Sequence, residues 1–153
     1  TLIDHSREVL DACQRPLLLE NITSYLRVPE EIPETDFINQ LCQEAGVGLL
    51  LDVTNLFINS RNHQFDPVEW LHRVEPSIIR QLHIVGYSFQ AGVWHDRHSE
   101  PIQEELFELA ADVVSYAPVE SIIIERDGAF PSCDQLEIEL KRLEDTCESA
   151  RTH

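Results

Sequence analysis

The chain has 153 residues, of which 42% are apolar and 25% charged, which is ordinary for one soluble globular domain with a sizeable core. With 11 basic and 28 acidic residues its formal net charge is −17, which argues against nucleic acid or an anionic membrane as the main partner. No apolar run approaches the length of a membrane span, and no secretory signal opens the chain.

The first half of the chain is predicted to alternate between helices and strands. A helix at about 5–14 precedes the apolar run PLLLENI at 16–22. A second helix ends at Gly46, and the run GLLLDVTN follows at 48–55. The apolar face of that second helix is predicted to consist of Phe37, Leu41 and Ala45.

The second half continues the same alternation. Asp66 is the expected N-cap of a short helix in DPVEWL, and the run RQLHIVG at 80–86 follows it. A further helix leads to the run ESIIIERD at 120–127, after which Ser132 and Gln135 open the last helix. The apolar face of the helix before that run is predicted to consist of Ile102, Leu106, Leu109 and Val113. The apolar face of the last helix is predicted to consist of Leu136, Leu140, Leu143 and Cys147.

The cysteines indicate a reducing compartment. Cys13, Cys42, Cys133 and Cys147 lack the paired spacing of a zinc ribbon. The last two share the final helix, where 14 residues separate them by about 21 Å, too far for a disulfide. We therefore predict free thiols and a cytoplasmic protein. The chain starts at Thr1 and contains no Met, so we expect it to be a piece of a longer protein.

The four apolar runs predict parallel strands that are buried on both faces, and each run carries one polar residue near its end. These residues are Glu20, Asp52, His83 and Glu125, at intervals of 32, 31 and 42 residues. A βα unit takes about 30 residues or more, so they recur once per unit in a βαβαβαβα chain. The third interval is longer by about ten residues, and we assign the excess to a loop that holds WHDRH at 94–98. Eight units close a barrel and four do not, but ligand-type residues at strand ends fit a barrel active site better than an open sheet.

If the four strands are adjacent, these side chains converge at one rim. Asn55 lies three residues beyond Asp52, and Asp96 and His98 face the same way if their segment is extended. Oxygen and imidazole ligands suit Fe, Mn or Zn, and their number exceeds what one ion needs. The sequence therefore predicts a centre of two or three metal ions held by Glu20, Asp52, Asn55, His83, Asp96, His98 and Glu125.

Each of these residues also has a simpler structural explanation. Glu20 and Glu125 could each form an ion pair with an arginine such as Arg126, and Asp52 could cap a turn at Asn55. His83 could be a hydrogen-bonded core residue, and Asp96 and His98 could cap the following helix together with Ser99. His63 and His95 show no comparable spacing and are expected in loops. The shared register, rather than any single residue, favours the metal centre.

Five segments of the chain resemble the C-terminal half of the multinuclear non-heme iron-dependent oxidative enzymes: LLENITSYL, LLDVTNLFINSRNHQFDP, QLHIVGY, HDRHSEPI and IIIERDGAFP. The resemblance implies strands five to eight of a xylose-isomerase-like TIM barrel, so 1–153 would be one half-barrel domain without its N-terminal half. It also implies two or three iron ions, of which one binds a substrate thiolate and another activates O2. The implied substrates are cysteine residues of ribosomally made precursor peptides, as in methanobactin synthesis, presented by a small partner protein.

The resemblance assigns a role to each predicted ligand. The family's two further histidine ligands belong to the half that this sequence does not contain, and Thr54 replaces an asparagine of the family's LLDVNN motif. By position, the bridging glutamate falls on Glu20, the motif's aspartate and asparagine on Asp52 and Asn55, the strand-seven histidine on His83, the D-x-H pair on Asp96 and His98, and the strand-eight glutamate on Glu125.

Two other functions remain open from the sequence. One is a divalent-metal hydrolase or isomerase of the endonuclease-IV or sugar-isomerase type, although the charge of −17 disfavours a nucleic-acid substrate. The other is an inactive truncated or split subunit that acts as a binding module. Because a lone half-barrel exposes two sheet edges and an apolar face, we expect two copies, or a separate N-terminal chain, to associate.

Overall fold

The computed structural model of the protein describes residues 1–26 and 31–152. A 3-10 helix at Pro76–Ile78 leads into the third strand. The helices are α1 (Leu2–Cys13), α2 (Glu34–Ala45), α3 (Val53–His63), α4 (Pro67–Leu71), α5 (Glu104–Tyr116) and α6 (Cys133–Arg151). The strands are β1 (Leu18–Glu20), β2 (Gly48–Asp52), β3 (Ile79–Ile84), β4 (Gly86–Gln90), β5 (Val93–Glu100) and β6 (Ser121–Ile124).

The four predicted strands form one parallel sheet in the order β1-β2-β3-β6. Helices connect them, so the α/β alternation predicted from the sequence is confirmed. The predicted helix ends are also confirmed at three places. Gly46 ends α2 with a φ of 74°, Asp66 caps α4, and Ser132 forms a capping box with Gln135 at the start of α6.

One face of the sheet carries the hydrophobic core. Leu51 of β2 is paired in register with Leu82 of β3, and both are fully buried. Ile84 follows on the same face, where Leu106 and Val113 of α5 belong to the same core cluster. Since side chains alternate along a strand, the residues between these core positions point to the other face.

The other face of the sheet carries the predicted ligands and is exposed at β6. Asp52, His83 and Ile123 are paired across β2, β3 and β6, so they share this face. Glu20 lies on it too, through its pairing with Leu50. Ile123 is 45% exposed, which shows that nothing in the described residues covers this side of β6.

The long third interval contains a β-hairpin, so the prediction of a loop at 94–98 is wrong. Strands β4 and β5 pair antiparallel in a separate two-stranded sheet. Ala91 and Gly92 join them with φ values of 52° and 82°, as a two-residue hairpin turn requires. Asp96 and His98 both lie in β5, as predicted for an extended segment, but His98 itself departs from the extended conformation with a φ of 50°.

The run at 48–55 is a strand only as far as Asp52, where α3 begins. The sequence did not predict α3, because its β-branched and apolar residues continue the pattern of the strand. The prediction of loop positions for His63 and His95 is therefore also wrong. His63 is the last residue of α3, and His95 lies in β5.

Two apolar faces were predicted incorrectly in part. Leu140 of α6 is 47% exposed, whereas Leu143 and Cys147 are buried as expected. Phe37 of α2 is 43% exposed, and its neighbour Ile38 faces the core instead.

The four cysteines are free thiols, as predicted, and burial raises the pKa of Cys42 to about 11. Among the helices of residues 1–26 and 31–152, none combines the length and apolar composition that crossing a bilayer requires.

Candidate metal centre

Four of the predicted ligands meet at the C-terminal end of the parallel sheet. Glu20 ends β1, Asp52 ends β2, His83 lies near the end of β3, and Glu125 follows β6 directly. One ligand atom from each of these residues lies within 4.8 Å of those of the other three. The parallel strand order brings them together, because it gathers the carboxyl ends of neighbouring strands at one edge.

His83 is the centre of this cluster. Its Nδ1 lies 3.1 Å from Oε1 of Glu20 and 3.0 Å from Oε2 of Glu125. The histidine side chain is 14% exposed, and each glutamate side chain is 37% exposed. One ring nitrogen between two carboxylates requires a proton or a metal ion at that point.

Asp52 has two separate roles. Its Oδ1 accepts a hydrogen bond of 2.6 Å from the backbone N–H of Asn55, which confirms that it caps α3. Its Oδ2 is buried and has no hydrogen-bond partner in the described residues. Burial, together with the charges of Asp96 and Glu20, raises the pKa of Asp52 to about 7, although the bond from Asn55 opposes this. A buried, unpartnered carboxylate oxygen is an atom that a cation would satisfy.

These four residues fit a divalent ion. Ligand atoms bonded to one ion at about 2.1 Å lie at most about 4.2 Å apart, so side-chain shifts of about half an ångström would close the group around it. The donors are three carboxylates and one imidazole, a set suited to Fe, Mn or Zn.

A network of amides holds the ends of β1 and β2 in place. Asn21 pairs with the backbone of Asp52 in both directions, donating to its carbonyl at 3.0 Å and accepting from its N–H at 2.8 Å. Asn55 donates to the carbonyl of Asn21 at 3.1 Å, and its Oδ1 accepts from the hydroxyl of Thr23. That oxygen keeps one lone pair, so Asn55 can still be a ligand.

The hairpin brings two more of the predicted ligands to the cluster. Nε2 of His98 lies 2.7 Å from Oδ1 of Asp96, and Nδ1 of His98 lies 3.9 Å from Oε2 of Glu125. Glu125 therefore lies between His83 and His98 and connects the two groups. Burial is the main cause that raises the pKa of Asp96; the charge of His98 lowers it, and that of Glu125 raises it.

Two of the simpler explanations are wrong. Arg126 is paired with Glu139 at 3.0 Å, with side chains only 7% and 11% exposed, and so is not the partner of Glu20 or Glu125. Gln103 is the N-cap residue of α5 and no side chain makes a capping hydrogen bond there, so Asp96 and His98 do not cap this helix.

A sequence signature defined as "RiPP precursor modification enzyme MbnB/TglH/ChrH" matches residues 1–148 of the chain. The chain belongs to this family. Membership of the MbnB/TglH/ChrH family confirms the resemblance drawn from the sequence segments.

The chain is similar to several proteins named UPF0276 protein. It is 35% identical to the one from Streptomyces avermitilis over 152 residues, which are 99% of this chain and 31% of that protein. It is 37% identical to the one from Caulobacter vibrioides over 134 residues, or 85% of this chain and 47% of that protein. The one from Pseudomonas aeruginosa is 33% identical over 138 residues, 90% of this chain and 49% of that protein. The chain thus spans half or less of the length of these relatives.

In this MbnB/TglH/ChrH family member, α3 fixes the hairpin that carries Asp96 and His98. The side-chain amide of Asn62 donates to the carbonyl of Trp94 at 3.0 Å and accepts from its N–H at 3.1 Å. The Trp94 ring packs against Tyr87, with ring centroids 4.8 Å apart. The sequence did not predict this contact, because neither α3 nor the hairpin was predicted from it.

Proposed function

We propose that this chain is the C-terminal part of an iron-dependent oxidase that uses O2 to modify cysteine residues of ribosomally made precursor peptides. The observation that supports this most is the convergence of Glu20, Asp52, His83 and Glu125 at one end of the sheet, in a member of a RiPP-modifying family. Iron bound there would supply affinity for a thiolate and redox chemistry with O2.

We propose two or three iron ions, in preference to Mn or Zn. Glu20, Asp52, His83 and Glu125 would hold one ion, and Asp96 and His98 a neighbouring one, with Asn55 as a further ligand. Glu125 lies between the two groups, since its Oε2 lies 3.0 Å from Nδ1 of His83 and 3.9 Å from Nδ1 of His98. The carboxylates would compensate the charge of the ions and so set their reduction potential.

Gln81 would prepare His83 for this role. Its amide lies 3.5 Å from Nε2 of His83. With its oxygen turned toward the ring, the amide would accept the Nε2 proton and leave Nδ1 unprotonated, facing the carboxylates of Glu20 and Glu125. Gln81 would thus select the tautomer that can bind a metal.

We propose a precursor peptide and a small peptide-presenting protein as partners. Apolar side chains follow β1 at the end of the sheet where the cluster lies: Ile22 is 72% exposed and Tyr25 51% exposed. Such exposed groups beside a polar centre suit an extended peptide that must bring a cysteine to the metal.

An oxygen electrode separates this function from hydrolysis or isomerisation. Protein loaded anaerobically with Fe(II) is expected to consume O2 when a cysteine-containing peptide is added, and not when a serine analogue replaces it. Zinc-loaded protein and the His83→Ala variant are expected to consume none. Thiol-independent O2 uptake, or activity that zinc supports without O2, would contradict the proposal. Sequencing the DNA upstream of the Thr1 codon shows whether the reading frame continues there. The polypeptide that this frame encodes should be assayed alongside this chain.

We further propose that residues 1–153 form one half-barrel domain, strands five to eight of a (β/α)8 barrel. The face of the sheet that carries the ligands supports this, because the inner face of a barrel mouth would carry ligands in the same way. The edge strands β1 and β6 would each pair with a strand of the other half. The family relatives, about twice or three times as long as the matched region, have the length for that half.

The uncovered face predicts association of the isolated chain. We expect light scattering at low micromolar concentration to show dimers or larger species, because association buries Ile123 and pairs the exposed strand edges. Ile123→Lys should shift the population toward monomer, whereas Leu2→Lys, at an exposed site on α1, should not. A wild-type monomer that binds no apolar dye would contradict this expectation.

A further inference from the structure

Asp127 faces the predicted ligand His98 from the loop after β6. Its Oδ2 lies 3.2 Å from Nδ1 of His98, while the other ring nitrogen, Nε2, lies 2.7 Å from Oδ1 of Asp96. The two nitrogens of one ring thus face two different carboxylates. Only one of these carboxylates, that of Asp96, was predicted from the sequence to be a metal ligand.

The loop that carries Asp127 also holds the backbone of His98. The carbonyl of His98 accepts hydrogen bonds from the N–H groups of Asp127 at 3.0 Å and Gly128 at 3.3 Å. His98 has a φ of 50°, unusual for a residue with a side chain, and it lies where the pairing of β4 with β5 is irregular. The two backbone bonds stabilise this bulged conformation.

Nδ1 of His98 is buried and lacks a hydrogen bond of good geometry in the described residues. Two carboxylates could accept a hydrogen bond from this nitrogen, and that of Asp127 is the nearer. Oε2 of Glu125 is 3.9 Å away and is also 3.0 Å from His83. The Asp127 side chain is 73% exposed, so water solvates its charge and the carboxylate needs no second protein partner.

We propose that Asp127 is a positioning residue that accepts the Nδ1 proton of His98 and so fixes Nε2 as the metal-binding nitrogen beside Asp96. This inference rests on the proposed metal centre. A carboxylate that accepts the second N–H of a ligating histidine fixes the tautomer and the ring orientation and makes the ligating nitrogen more basic. Loss of such a carboxylate lowers metal affinity about 10-fold to 100-fold.

The test uses the whole chain titrated with Zn(II), which is diamagnetic, in a His83→Ala background that leaves the hairpin pair as the main site. Asp127→Ala is expected to weaken Zn(II) binding about 10-fold to 100-fold, and Asp127→Asn by less, because an amide oxygen still accepts the proton. Asp112→Ala removes an exposed carboxylate from α5 and should leave the affinity unchanged. All three variants keep the backbone bonds to His98.

The tautomer provides a second readout that a purely structural role would not move. In protein with nitrogen-15-labelled histidine, the His98 ring of the Zn(II) complex is expected to show a proton on Nδ1 and zinc on Nε2. An unchanged affinity in Asp127→Ala, or a proton on Nε2 in the wild-type complex, would overturn the role of Asp127. Absence of Zn(II) binding in the His83→Ala background alone would overturn the role of Asp127, and absence in the wild type as well would overturn the metal centre itself.

Discussion

Replacing Asp52 with asparagine is expected to stabilise the metal-free protein at pH 8 by about 4 kcal/mol, the free energy of a pKa difference of about 3. In the folded protein the pKa of Asp52 is about 7, raised mainly by burial from its ordinary value of 3.8. Asparagine keeps the cap on α3, because its side-chain oxygen can accept the N–H of Asn55. The substitution removes the negative charge that ionised Asp52 places in the protein interior.

The sign of the pH dependence follows from the same values. Between pH 4 and 7 the folded state holds a proton on Asp52 that the unfolded state has lost, so this residue makes the wild type less stable as pH rises through that window. The variant should lack this decline, and the two proteins should be of similar stability near pH 4. Urea unfolding of metal-free protein at pH 4, 6 and 8 measures the difference.

Asp66→Asn is the matched control, since Asp66 caps α4 in the same way but is exposed. Its free energy of unfolding should change by only a few tenths of a kcal/mol at any of these pH values. A wild type whose stability relative to Asp52→Asn does not change with pH would show that Asp52 is not a buried, protonated carboxyl.

Replacing Gly86 with alanine is expected to destabilise the protein by about 3 kcal/mol. A Cβ at Gly86 would collide with the carbonyl oxygens of Pro101 and Glu100, which are backbone atoms that cannot rotate away. The end of β5 would have to move away from β4. Because Asp96 and His98 lie in β5, metal binding at the hairpin should weaken as well.

Gly128→Ala is the control for this substitution, because its Cβ would meet only the Cβ of Ser99, at an ordinary 3.8 Å. Urea unfolding and hydrogen exchange of the β4 and β5 amides should distinguish the two variants. A Gly86→Ala protein with wild-type stability and unchanged exchange in the hairpin would contradict the close packing seen at this position.

The sequence predicted the sheet and the convergence of four polar residues because one physical rule links them. A polar residue that recurs once per βα unit comes to the same edge of a parallel sheet. Glu20, Asp52, His83 and Glu125 obey this rule, so their spacing was enough. The burial of the intervening apolar residues follows from the same alternation.

The hairpin could not be predicted in the same way. Its strands contain His95, Asp96 and His98 among mixed residues, without the regular alternation that marks a half-buried strand. Its position depends on the contact of Asn62 with the backbone of Trp94. Contacts of a side chain with a distant backbone leave no periodic signal.

The same reason explains why Asn21 and Asp127 were missed. Asn21 acts through the backbone of Asp52, and Asp127 faces His98, which precedes it by 29 residues. Each looks like an ordinary loop residue at the end of a strand. The signal that remained in the sequence was their position, one and two residues beyond the proposed ligands Glu20 and Glu125.

Metal content of the purified chain, measured by mass spectrometry, tests the central claim most directly. The wild type is expected to retain iron after anaerobic loading and desalting, and Glu20→Ala and His83→Ala are expected to retain less, because the ion at the end of the sheet is lost. Glu8→Ala and His5→Ala, which change exposed residues of α1, should retain the wild-type amount. Equal iron in all five proteins, or none in the wild type, would contradict a metal centre at the end of this sheet.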